Sequence, residues 1–191
     1  MVEAIISEFD AATKKCQELF EKKMRDYDAA WAILRTTSLT DQIKIKSERI
    51  KSVTTIGTQK IADSIDDEFV GIINYCILHL VQTERDKLGL VRASEITITK
   101  DEALFQYKKY LAATRKRLEK TYLYYGDCWR GMNQHMLNNL ILAKIRRIQD
   151  IENKKYLDPT GDELTRSLMD MLIFSVYALV VGKKVASDIY D

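Results

Sequence analysis

The sequence predicts an all-α protein, a tandem duplication of a three-helix unit packed as a pseudo-two-fold helical bundle. Three observations support that class. One Pro and seven Gly in 191 residues leave little to interrupt a helix, because those two residues are the strongest helix breakers. A hydrophobic fraction of 46% is ample for a core, and this length suits one or two compact domains. The chain also repeats itself. Shifted by 98 positions, the stretch 20–53 meets nine identical residues: Glu21/Glu119, Lys22/Lys120, Tyr27/Tyr125, Trp31/Trp129, Leu39/Leu137, Ile43/Ile141, Lys46/Lys144, Arg49/Arg147 and Ile50/Ile148. A shift of 99 then sets 69–80 against 168–179, apolar facing apolar at most positions. Units too small to bury their own apolar face pack on each other, so the halves are expected to share one core.

Each unit reads as helix, Tyr/Trp elbow, helix, short loop, helix, with residues 1–88 forming the first repeat, 89–99 the linker and 100–191 the second. In the first helix, about residues 3–25, Ile5, Phe9, Ala12, Cys16, Leu19, Phe20 and Met24 recur at three- and four-residue steps, the period of one helix face. Its counterpart is predicted over about 101–124, opened by a capping box between Thr99 and Glu102. The second helices are predicted over about 40–53 and 138–151, and the third over about 66–84 and 163–185.

Thirty basic against 28 acidic residues leave a formal charge of +2, too little for a nucleic-acid field. Cys16, Cys76 and Cys128 are odd in number and far apart, as in a reduced, cytoplasmic protein. Acids rather than a basic-then-apolar signal open the chain. The longest apolar run, 171–181, reaches half a membrane span and is broken by Ser175. No P-loop, GxGxxG, CxxC pair or nucleophile elbow is present, and His79 and His135 have no ligand spacing.

Chemistry is most legible in the second helix. Leu39, Ile43, Lys46 and Ile50 fall on one seam, which sets a lysine in an apolar stripe. Leu137, Ile141, Lys144 and Ile148 repeat the pattern. A desolvated ammonium needs a carboxylate or a phosphate, so two readings stand: an internal salt bridge to the third helix, or a phosphate-binding cation aided by Arg49 or Arg147 three residues on. The acids Asp41, Glu48, Asp67 and Glu68 are candidates for Mg²⁺, which takes one or two carboxylates plus substrate phosphates. Asp67, three residues after Ser64, equally suits a helix cap, and Glu48 suits an ion pair with Lys44 or Arg49. Asp67, Gly71 and Asn74 share a face, where the glycine leaves room for a ligand or a closely packed helix. The elbow residues Tyr27 and Trp31 offer either a stacking surface for a base or a plug for the bundle end.

Tyr27, Asp28 and Trp31, then Lys46, Arg49 and Ile50, then Asp67, Asn74 and Tyr75 resemble the nucleotide modification associated domain of bacteria and phages, with Tyr125, Gly126, Trp129, Lys144, Arg147 and Ile148 repeating much of the pattern. That domain is grouped with the all-α nucleoside triphosphate pyrophosphohydrolases, the MazG-like and dimeric dUTPase-like enzymes. The resemblance implies Mg²⁺ held by Glu48, Asp67 and Glu68, with Lys46 and Arg49 on the phosphate oxygens; Asp41 and Asp170 are further candidate ligands, and Tyr27, Trp31, Asn74, Lys144 and Arg147 further candidate substrate contacts. The implied activity is pyrophosphate release from a nucleoside triphosphate or related triphosphate. The alternative is a non-catalytic helical nucleotide-sensing or protein-interaction module. A homo-oligomer is an expected assembly, and no membrane partner is expected. Neither half carries the full set of acids: Gly71 and Asn74 face Asp170 and Ile173, while Arg146 and Arg166 stand in for Glu48 and Asp67. Any metal chemistry is therefore expected in the first half.

Overall fold

The structure is a computed structural model and describes residues 2–56, 64–91 and 95–190. Among the described residues the elements are six α-helices: α1 (Val2–Tyr27), α2 (Thr36–Ile56), α3 (Ile65–Lys87), α4 (Lys100–Tyr125), α5 (Gln134–Glu152) and α6 (Asp162–Tyr190). Two one-turn 3-10 helices, Ala30–Ile33 and Cys128–Gly131, form the Trp elbows. Positions 92–94 of the predicted linker lie outside the described residues. The all-α class is as the sequence predicts.

Both second helices begin four residues earlier than the apolar period indicates. Asn133 caps α5 by accepting a hydrogen bond from the Met136 N–H, and α2 starts at the equivalent point on Thr36. The opening turns are polar, so they carry no periodic signal. Thr99 caps α4 through the Glu102 N–H as predicted, and Ser64 with Asp67 forms a full capping box at the start of α3.

The elbows share a positive φ. Each first helix ends in a left-handed residue, Asp28 at φ 56° and Gly126 at φ 53°, which are equivalent under the 98-residue shift. Glycine adopts that conformation without strain, and Asp tolerates it better than most residues. The Asp28 carboxylate accepts from the Ala29 N–H at 2.9 Å and holds the turn.

Helices α3 and α6 pack on each other at the centre, α2 packs on α3, α5 on α6, and α2 on α5. Equivalent helices therefore meet across a pseudo-two-fold axis, and one continuous core cluster runs through both repeats. Its members include Ile43, Ile72, Ile73 and Ile77 of the first half and Ile141, Leu168, Leu172 and Val176 of the second, all of them inaccessible to water. Each such side chain contributes roughly 1.5–3 kcal/mol relative to exposure. Buried polar groups stitch α2 to α5. The Ser47 hydroxyl donates to Asn138 Oδ1 at 2.7 Å, and Asn138 returns a bond to the Ser47 carbonyl at 2.9 Å. Thr40 donates to Glu152 at 2.7 Å beside the buried His79 ring. The residues 162–183 of α6 are long and apolar enough to cross a membrane by composition, but 67% of that stretch is buried inside the protein.

Candidate functional site

The sequence leaves Lys46 two partners, and the structure gives it a carboxylate. Lys46 Nζ lies 3.1 Å from Glu68 Oε2, and Arg49 reaches Glu68 Oε1 at 2.9 Å. Glu68 is only 4% exposed, so this is a desolvated triad of two cations on one carboxylate. Gly71 makes the contact geometrically feasible: a Cβ there would lie 2.4 Å from Lys46 Cε. The lysine lies along the bare backbone of α3 to reach Glu68, one turn upstream.

The second half solves the same problem differently. Asp170 occupies the position of Gly71 and itself receives Lys144 at 2.8 Å and Arg117 at 2.7 Å. Arg147 pairs with Glu163 at 3.4 Å and lies over the Tyr156 ring at 3.3 Å. The repeated Lys/Arg row is thus an internal salt-bridge system in both halves, anchored one helical turn apart.

Beside each row lies a cleft at the Trp elbow. The first, about 270 Å³, is walled by Phe20, Tyr27, Trp31 and Tyr75 and edged by Lys23, Lys46, Asp67 and Asn74. The second, about 370 Å³, is bordered by the equivalent Tyr125, Trp129 and Phe174, with Ile173 where the first has Asn74. Five predicted residues, Tyr27, Trp31, Lys46, Asp67 and Asn74, therefore meet in one place.

The two tryptophans differ in what covers them. Trp129 is buried and stacked on Tyr177, centroids 4.1 Å apart and planes within 3°, with Arg130 4.4 Å from the ring centroid. Trp31 faces Leu78 where Trp129 has Tyr177, and among the described residues no ring stacks on it. Its indole N–H is held by Met24 Sδ at 3.3 Å. In the second half Tyr122 replaces Met24 and donates to Asp127 instead, leaving the buried Trp129 Nε1 without a partner. The plugging reading describes the second half, while in the first Trp31 keeps a face on which no ring stacks among the described residues.

The acids do not gather. Asp67 is committed to the α3 cap, where the Ser64 hydroxyl donates to it at 2.9 Å, and it pairs with Lys15 at 3.5 Å. The Ser64 bond, aided by Lys15 against partial desolvation, holds its carboxyl below the ordinary value. Glu68 is taken by Lys46 and Arg49. Glu48 is exposed and pairs with Lys51 at 3.9 Å, and it borders a shallow groove with Asp41 and Arg49 on the outer face of α2. Asp170 sits in the other half with its own cations. Among the described residues no group of three or more His, Cys, Asp or Glu side chains lies close enough to hold a metal ion. The donor set predicted for Mg²⁺ therefore does not fit a preformed site.

Residues 23–83 and 123–181 each match the nucleotide modification associated domain 1 family. The chain belongs to that family, as a tandem pair. The two matched segments run from the C-terminal part of the first helix through most of the third in each half, so each copy contains its own elbow, Lys/Arg row and cleft. No curated protein and no solved structure matches the chain.

One cleft residue and one buried neighbour of the cleft are not marked by the sequence pattern. Lys23 lies on the hydrophilic side of α1 and looks like any solvated lysine. Tyr107 comes from α4, in the other repeat, and reaches Asn74 at 2.6 Å. The signal that could have found it is the 98-residue shift, which sets Tyr107 against Phe9 and so marks a polar group in an otherwise apolar register.

Proposed function

We propose that the protein binds a nucleotide in the first cleft, with the base on the uncovered face of Trp31 and the phosphate end toward Lys46 and Lys23. One observation carries this reading: equivalent tryptophans stand in both halves, and the one without a covering ring is the one bordered by Lys23, Lys46 and Asn74. Stacking on an aromatic face contributes about 1–3 kcal/mol per base, and Lys23 and Lys46 line the cleft alongside Asp28 and Asp67 and supply the cations for a phosphate. Membership in the nucleotide modification associated family agrees with a nucleotide ligand.

The same arrangement supports binding or sensing over hydrolysis. Mg²⁺-dependent pyrophosphate release needs carboxylates directed at a common point, and Glu48, Asp67 and Glu68 are each engaged elsewhere. We therefore derive no metal-dependent step. The test is calorimetric titration with nucleoside mono- and triphosphates, alongside an assay for pyrophosphate release with Mg²⁺. Binding that disappears in Trp31→Ala and persists without turnover is the expected result. Mg²⁺-dependent pyrophosphate release abolished by Asp67→Asn would overturn the binding-only reading and restore the hydrolase.

A further inference from the structure

The first cleft borrows a polar group from the second repeat. Tyr107 is fully buried and stacks on Phe20, a cleft wall, at 4.4 Å. Its hydroxyl donates to Asn74 Oδ1 at 2.6 Å. Burial, with Cys16 and Glu21 nearby, pushes this phenol well above its ordinary pKa, so it remains a protonated donor. A side-chain amide has one carbonyl acceptor and two N–H donors. Committing the oxygen to Tyr107 turns the Asn74 amide NH₂ to the other side, where no acceptor among the described residues meets it. Asn74 lines the cleft, and with its oxygen turned to Tyr107 it presents its N–H groups to a ligand.

The duplication supplies an internal control. The positions equivalent to Tyr107 and Asn74 are Phe9 and Ile173, both apolar, in the half whose tryptophan is already covered. A hydroxyl and an amide occur together where the stacking face is open, and neither occurs where it is closed.

We infer that the ligand's base presents a carbonyl oxygen to Asn74 at the position where adenine and cytosine carry their exocyclic amino group, as guanine does with O6 and uracil and thymine with O4. Asparagine reads adenine through both its oxygen and its NH₂, and here the oxygen is turned away to Tyr107. An amino edge would set N–H against N–H and leave donors unpaired. This inference rests on the nucleotide-binding reading above.

Calorimetry on the full chain with GMP, UMP, AMP and CMP tests it. GMP and UMP are expected to bind about tenfold more tightly than AMP and CMP, the effect of one unpaired donor. Asn74→Leu should weaken GMP and UMP by a similar factor and erase the preference. Tyr107→Phe frees the amide to rotate and should raise AMP and CMP toward the other two, with circular dichroism melting confirming the fold. Asn74→Leu, at the cleft edge, carries the test by itself where Tyr107→Phe does not fold. Four equal affinities in the unaltered protein, or a preference that survives Asn74→Leu, would overturn the inference and leave nucleotide binding standing. No binding of any of the four would overturn both.

Discussion

The two clefts begin from the same elbow and the same Lys/Arg row, and they differ in what has filled them. In the second, Tyr177 covers Trp129, Asp170 meets Lys144 directly, and Ile173 closes the polar edge. In the first, Leu78, Gly71 and Asn74 stand at those three places. Both copies keep a cleft, of about 270 Å³ and 370 Å³, but only the first leaves its tryptophan without a stacked ring among the described residues. The difference teaches that conserved architecture between repeats marks packing, while the positions that diverge around it mark where chemistry is possible.

The sharpest way to break this comparison is at the tryptophans. Trp129→Ala removes a buried ring and its stacking partner's support, and should destabilise by about 3–5 kcal/mol. Trp31→Ala, half-exposed and unstacked, should cost about 1–2 kcal/mol but abolish ligand binding. Denaturant melts and titrations of both variants distinguish the roles. Equal losses of stability would remove the distinction between plug and platform.

The salt-bridge systems come next. Glu68→Ala leaves Lys46 and Arg49 without their buried carboxylate and should cost about 3 kcal/mol. Asp170→Ala removes a carboxylate that is 16% exposed against 6% for Glu68, and should cost about 1–2 kcal/mol because water reaches that pair more readily. Urea midpoints at constant m-value check the order. Acid adds a contrast at the neighbouring position: the Asp67 carboxyl is held below its ordinary value of 3.8, so its contribution is complete above that value and is lost as the pH falls through the lower folded one. Arg166 stands at the equivalent position, so Asp67→Asn should remove this part of the acid sensitivity, as read by melting temperature against pH.

Much of this was legible in the sequence, and the limit has a physical cause. Helices, repeat and Lys/Arg row follow from periodicity and self-comparison, which are properties of one strand of sequence read along its length. The partner of Lys46 was legible only as a choice, because a cation in an apolar stripe calls for an anion without naming it. Trp31 and Trp129 are identical in the self-comparison, and their fates are set by Leu78 and Tyr177, some 47 residues away from each by the numbering. Tyr107 lies in the other repeat altogether. Local pattern reports which face of a helix is buried; it does not report which side chain arrives from elsewhere to cover it.

A smaller effect sharpens the elbow. Asp28 and Gly126 both have positive φ, so Gly126→Asp, at ψ −134°, should destabilise by about 1–3 kcal/mol and Asp28→Gly should change stability by less, since relief of strain is offset by the lost bond to the Ala29 N–H and by added chain freedom. Thermal melts of the two variants check this. A large loss from Asp28→Gly would assign the carboxylate more weight than the turn.

The smallest expected change in stability is at Gly71, and it is the most informative about function. In Gly71→Ala the new Cβ displaces the flexible end of Lys46, which breaks its bond to Glu68 but leaves Arg49 in place. The lost bond costs about 1 kcal/mol, and replacing a mid-helix glycine by alanine returns about the same, so the melting temperature should scarcely move. The lysine, however, is turned from α3 into the cleft or out to solvent. If Lys46 holds the ligand from its seat on Glu68, affinity falls about tenfold at unchanged stability. Unchanged affinity would make Lys46 a purely structural cation like Lys144, and the first half would then differ from the second only in its uncovered tryptophan and its amide.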